Sequence, residues 1–127
     1  MNVVDSSGWL EYFADGANAD FFAPAIENAA ELVIPTICVY EVFKRINQQR
    51  NEHDALQAAA IMAQGHVVNL DLPLSLNAAR ISLDLHLPMA DSIILATART
   101  YDAVIWTQDG DFESIDNVRH ISKKLKN

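Results

Sequence analysis

Five short runs of β-prone, apolar residues punctuate the chain. They are Asn2-Val3-Val4, Leu32-Val33-Ile34-Pro35, Val67-Val68-Asn69-Leu70, Ala103-Val104-Ile105-Trp106-Thr107 and Val118-Arg119-His120-Ile121. Between them the apolar spacing changes to that of a helix. Trp9, Leu10, Tyr12 and Phe13 fit one helical face, with Ser6 or Ser7 able to cap its first turn. A second amphipathic segment runs from about Asp20 to Ala30. A third starts at Ile37 behind Thr36 as N-cap, and places Ile37, Val42, Phe43 and Ile46 together. The alanine-rich stretch Glu52 to Gln64 predicts a helix closed by Gly65, and Asp71-Leu72-Pro73 turns the chain into a helix over Leu74 to Leu85. Pro88 opens a last helix, whose Ile93-Ile94-Leu95-Ala96 is apolar enough to be buried on most sides. Helices alternating with short strands predict an α/β fold: about five parallel strands flanked by helices.

The length of 127 residues suits one domain, residues 1–127, that buries a core without disulfides. No repeat or linker divides it. Cys38 is the sole cysteine, so no internal disulfide forms. No apolar run approaches the ~18 residues of a membrane span, and the N-terminus lacks a basic segment followed by an apolar one, so the sequence reads as cytoplasmic. Nine Lys and Arg against 17 Asp and Glu give a net charge of −8. That balance argues against broad electrostatic binding of nucleic acid and suits a cation or a basic partner, while leaving room for a local basic rim.

The acids are placed unevenly. Asp5 follows the first strand, Glu41 lies little more than one turn into the helix after the second, and Asp109 and Asp111 flank Gly110 just past the fourth. Parallel strands all point one way, so these positions share the carboxyl edge of the sheet, where ligands of open α/β sheets bind. Asp91 joins them if its helix starts at that edge. Singly, each acid reads as a turn residue or helix cap. Together they would repel, and a fold that gathers them needs raised pKa values or a cation. Oxygen donors without paired His or Cys favour Mg²⁺ or Mn²⁺ over zinc. His53, His66, His86 and His120 have no ligand spacing with each other or the acids.

Val3-Val4-Asp5-Ser6-Ser7, Tyr40-Glu41-Val42, Ala90-Asp91-Ser92-Ile93-Ile94-Leu95-Ala96-Thr97-Ala98 and Thr107-Gln108-Asp109-Gly110-Asp111-Phe112 resemble, in order and spacing, the motifs of the PIN domain, in particular of VapC-type toxins of toxin-antitoxin pairs. The resemblance implies a Mg²⁺-dependent endoribonuclease, usually dimeric and inhibited by a cognate antitoxin protein. It equates Asp5, Glu41, Asp91 and Asp109 with the family's acidic quartet, Asp111 with an accessory acid, and Thr107 with a polar residue that helps hold Asp5. Ser6 keeps the hydroxyl of the threonine that is frequent there. Asp5, Asp91 and Asp109, with Asp111 as a further ligand, would hold Mg²⁺. Glu41 would orient or deprotonate the attacking water, leaving 5′-phosphate and 3′-hydroxyl ends.

Substrate and partner signals are weaker. Lys44 and Arg45 follow Glu41 by three and four residues and could meet RNA phosphate, although a surface Glu-Arg pair explains them equally. Arg80, Arg99 and the tail Lys123, Lys124 and Lys126 read as rim or solvated charge. Trp9, Tyr12, Phe13, Phe21 and Phe22 read first as core, and secondly as the wall of a groove for an antitoxin helix. Two other classes compete: a phosphoacceptor signalling domain, with Asp71 and Lys123 as stand-ins for its acceptor and lysine, and a non-catalytic binding module on the same fold.

Overall fold

The computed structural model describes residues 1–124, so Lys126 lies outside the described residues. Five strands form: β1 (Asn2–Val4), β2 (Val33–Pro35), β3 (His66–Val68), β4 (Val104–Thr107) and β5 (Val118–His120). Every pairing is parallel, as the alternation predicts. The sheet is nevertheless divided, into β1-β4-β5 and β2-β3, with the parallel bridge Asn2–Leu32 joining them in the spatial order 3-2-1-4-5. Three-residue strands offer few ladder bonds, so side-chain packing carries the join. Val3, Val4, Val33 and Ile34 are all fully buried there.

Six helices flank the sheet: α1 (Ser6–Phe13), α2 (Ala19–Ile26), α3 (Thr36–Gln49), α4 (Glu52–Met62), α5 (Leu72–Leu85) and α6 (Met89–Thr100). In α6 every residue from Ser92 to Ala98 is buried. Its Thr97 hydroxyl is satisfied within the helix by donating to the Ile93 carbonyl at 2.8 Å.

Four local expectations change. The cap of α1 is Asp5 rather than Ser6 or Ser7, because its carboxylate reaches the Gly8 N–H. Thr36 is already helical, and Pro35, whose fixed φ suits extended backbone, stands at the cap position of α3. The second segment is shorter than predicted: α2 ends at Ile26 and a 3-10 turn covers Ala29–Glu31. Helix α4 ends at Met62, and Gly65 has no positive φ. Gly65 is small for another reason: a Cβ there would lie 2.8 Å from Ile34 Cγ1 and 2.9 Å from the Leu32 carbonyl oxygen, where the chain enters β3. Among the described residues, no single helix is long and apolar enough to cross a membrane.

Candidate active site

Asp5 is the last residue before α1 and is almost wholly buried. Its backbone N–H donates to the Trp106 carbonyl, which keeps it in line with β4. One carboxylate oxygen accepts from Ser7 Oγ (2.8 Å) and Gly8 N (3.0 Å), the other from Thr107 Oγ1 (2.7 Å). Thr107 Oγ1 in turn accepts from the Asp109 N–H at 2.8 Å, so one hydroxyl ties the end of β1 to the loop after β4. Burial still outweighs these bonds. It pushes the Asp5 carboxyl up to about 6, with the charge of Asp109 adding to the effect. At the first turn of α1, Gly8 lets Phe22 and Val4 pack against the backbone, because a Cβ there would lie within 2.7 Å of both.

Helix α6 does start at the same edge. One carboxylate oxygen from each of Asp91, Asp109 and Asp111 lies within 4.8 Å of the others. Burial, a hydrogen bond with Asp111 and the charges of Asp109, Asp111 and Asp5 push the Asp91 carboxyl up to about 8. Asp109 caps the 3-10 turn Gly110–Phe112 through the Asp111 N–H (2.9 Å). The capping role expected of turn acids therefore falls to Asp109, and Asp111 turns its carboxylate into the cluster. Glu41 comes from the other sheet half on α3. Its Oε1 accepts from Ser6 Oγ at 2.6 Å, directly beside Asp5.

The donor set fits a hard divalent cation. All candidate ligands are carboxylate oxygens, and burial together with their crowding raises Asp91. Neither ion pair among the described residues, Met1 with Glu31 or Arg50 with Asp54, offers these acids a cation. Asp91, Asp109 and Asp111 could hold the ion together, with Asp5 within charge range of both Asp91 and Asp109.

Other expected residues separate. Arg45 makes no ion pair with Glu41 among the described residues, so the Glu-Arg explanation is not realised. Lys44 Nζ lies 5.7 Å from the centre of the Tyr40 ring and faces a different cavity from Arg45. Arg80 and Arg99 line a hollow beside Ala96 and Thr100, near the C-terminal end of α6 and away from Asp91. Trp9 and Phe22 are core, while Tyr12, Phe13 and Phe21 are partly buried against it. His66 packs edge-on against Tyr101. Asp71 caps α5 through the Leu74 N–H, and β3 before it is the edge strand. A phosphoacceptor domain of order 2-1-3-4-5 needs that strand at the centre.

Two contributors were not assigned to the site from the sequence. Ser7 is a direct donor to Asp5, and Asp5-Ser6-Ser7-Gly8 carries the signal for it: an Asp placed to cap a helix also lies within reach of the hydroxyl two residues on. Gln108 is buried, and its amide accepts from Asn18 Nδ2 and donates to Glu11 Oε2, both at 3.0 Å. Nothing in the local pattern marks that network, since its partners lie 90 and 97 residues away.

The chain matches the PIN domain profile over residues 3–118. No curated protein matches it. Solved structures with the same fold include a toxin-antitoxin complex from Klebsiella pneumoniae (TM-score 0.78, 19% identity, covering 94% of this chain and 96% of that one). Another is Mycobacterium tuberculosis VapC20, described as a sarcin-ricin loop cleaving toxin (TM-score 0.78, 20% identity, covering 93% and 97%). A third is the DNA-bound VapBC of Salmonella typhimurium (TM-score 0.72, 15% identity, covering 96% and 98%). The match runs from within β1 to the first residue of β5 and takes in every acid of the cluster, and the chain belongs to the PIN-domain family.

Proposed function

We propose that this protein is a Mg²⁺-dependent endoribonuclease, the toxin of a VapC-type toxin-antitoxin pair, acting in the cytoplasm as a homodimer. The observation that carries the reading is the meeting of Asp91, Asp109 and Asp111 beside the buried Asp5, with Glu41 brought to the same edge by Ser6. Membership of the PIN family and the likeness to toxin structures support it.

Asp91, Asp109 and Asp111, with Asp5 beside them, would hold the cation, Mg²⁺ or Mn²⁺ as its substitute. When bound, it supplies Lewis-acid stabilisation of the charge that develops on the phosphoryl oxygens. Glu41, fixed by Ser6, orients the attacking water and takes its proton. Thr107 and Ser7 hold Asp5 in one rotamer, so its oxygens need no rearrangement. Because water is the nucleophile, the ribose 2′-hydroxyl is not consumed and the ends are 5′-phosphate and 3′-hydroxyl.

An antitoxin is the expected protein partner. A basic side chain from it would be drawn to these acids, an idea that the net charge of −8 favours. The test is cleavage of structured RNA by the wild type and by Asp91→Asn, with and without Mg²⁺. Cleavage that needs both Mg²⁺ and Asp91 supports the enzyme. Products ending in 2′,3′-cyclic phosphate would exclude this route, and RNA left intact under every divalent cation would favour the binding module.

A further inference from the structure

A second feature adjoins the acids. A groove of about 690 Å³ opens between α1 and α3, and Ser7 and Gln108 line it. Ser7 is the residue whose hydroxyl holds Asp5, and Gln108 directly precedes Asp109, so the groove begins where the acidic site ends. Arg45 and Arg50 from α3 and Lys123 from the segment after β5 also line it. The chain has only nine Lys and Arg among 127 residues, so three on one groove is a concentration of positive charge in an acidic protein. Lys123 is brought there by long-range bonds: Asn18 Nδ2 donates to the Ser122 carbonyl at 3.0 Å, and the Ile121 N–H donates to the Thr107 carbonyl.

We propose that this groove is the track for a single RNA strand running out of the cleavage site, with Arg45, Arg50 and Lys123 on its phosphates. The proposal rests on the nuclease reading above and names where its substrate lies. The floor contributed by Leu10, Phe13 and Ile46 is apolar, and the cations stand around it. That combination suits an unstacked strand, whose base faces lie on apolar or aromatic surface while its backbone meets positive charge. Of the two acids on the lining, Glu11 is engaged by amides, accepting from Asn18 N and Gln108 Nε2, and Asp15 is the other. Arg50 touches Asp54 at 3.6 Å, but Arg50 is exposed and a single i,i+4 pair of this kind is worth little. Lys44 is left out, because it faces the neighbouring cavity beside Tyr40.

The experiment is fluorescence anisotropy of a labelled single-stranded RNA oligonucleotide in EDTA, where hydrolysis is off, titrated across a salt series. Arg45→Ala, Arg50→Ala and Lys123→Ala are compared with Arg80→Ala, which lies beside the far end of α6. Each groove variant is expected to weaken binding several-fold and to flatten the slope of log K against log salt by about 0.7, the value for one phosphate contact on a single strand. Arg80→Ala should leave both unchanged. Equal slopes in all four variants overturn the groove. Cleavage is measured in parallel with Mg²⁺. A wild type that cleaves while the groove variants bind normally removes the groove and leaves the nuclease. A wild type that binds through the groove yet never cleaves removes the nuclease and leaves the groove.

Discussion

The two halves of the acidic site are built on opposite principles. Asp5 is buried and held by three donors, its own backbone bond to β4 and its role as the cap of α1. Asp91, Asp109 and Asp111 stand at the rim, half-exposed or exposed, and what defines their mutual arrangement is crowding of like charge. The first half belongs to the fold and would persist without any ligand. The second stores repulsion that a cation would relieve. Burial raises both Asp5 and Asp91, but the three donors to Asp5 offset part of that cost, whereas the neighbouring carboxylates add to it at Asp91.

The comparison breaks most visibly by substitution. Asp5→Ala is expected to abolish cleavage and to destabilise the fold by roughly 2–4 kcal/mol, through the lost cap and the unpaired Thr107 hydroxyl. Asp91→Asn should lower cleavage by about 100-fold or more, yet raise the melting temperature in EDTA at mildly alkaline pH, because it removes a crowded charge. Thermal melts of the two variants with opposite signs would sustain the contrast. Equal destabilisation would end it.

Titration gives the next largest effect. Unfolded carboxyls release their protons near pH 4, whereas folded Asp5 does so at about 6 and Asp91 at about 8. Between those values the folded protein holds more protons than the unfolded chain, so stability falls as pH rises from about 4 to about 8. In EDTA the melting temperature should drop across that window, and Mg²⁺ should restore it at the alkaline end. A melting temperature that climbs with pH over the same range would contradict the raised carboxyls of Asp5 and Asp91.

Smaller changes sharpen the picture. Thr107→Val keeps the shape of the side chain but removes the hydroxyl shared by Asp5 and Asp109, and should cost about 1–3 kcal/mol and about 10–100-fold in cleavage. Ser6→Ala releases Glu41 and leaves the Asp5 donors in place. A roughly tenfold loss of kcat with stability nearly unchanged is expected, and an unaltered kcat would detach Glu41 from the chemistry.

Much of this was legible in the residues. The five β-prone runs mark the five strands, and parallel direction follows from the intervening helices. Asp5, Glu41 and Asp109 could be assigned to one edge because parallel strands end together. What stayed hidden depended on tertiary contact. Whether Asp91 reaches the edge is decided by how α6 docks, and the division between β1 and β2 depends on how three-residue strands pack. Lys44 and Arg45 are adjacent in sequence yet serve different cavities, because neighbouring residues on a helix diverge by about 100°. Gly65 looked like a helix terminator, and its real constraint is a carbonyl and an isoleucine more than thirty residues earlier.

The join between the two sheet halves has a mechanical consequence. Asp5 and Asp109 ride on one half and Glu41 is carried by the helix that follows the other, so the spacing of the proposed catalytic groups is a dimension of the seam. Backbone continuity across that seam rests on the Asn2–Leu32 bridge. Warming that loosens the seam should draw Glu41 away from Asp5 and Asp109. The proposed cleavage should therefore fade at temperatures below the global melt, a thermometer for the integrity of one joint.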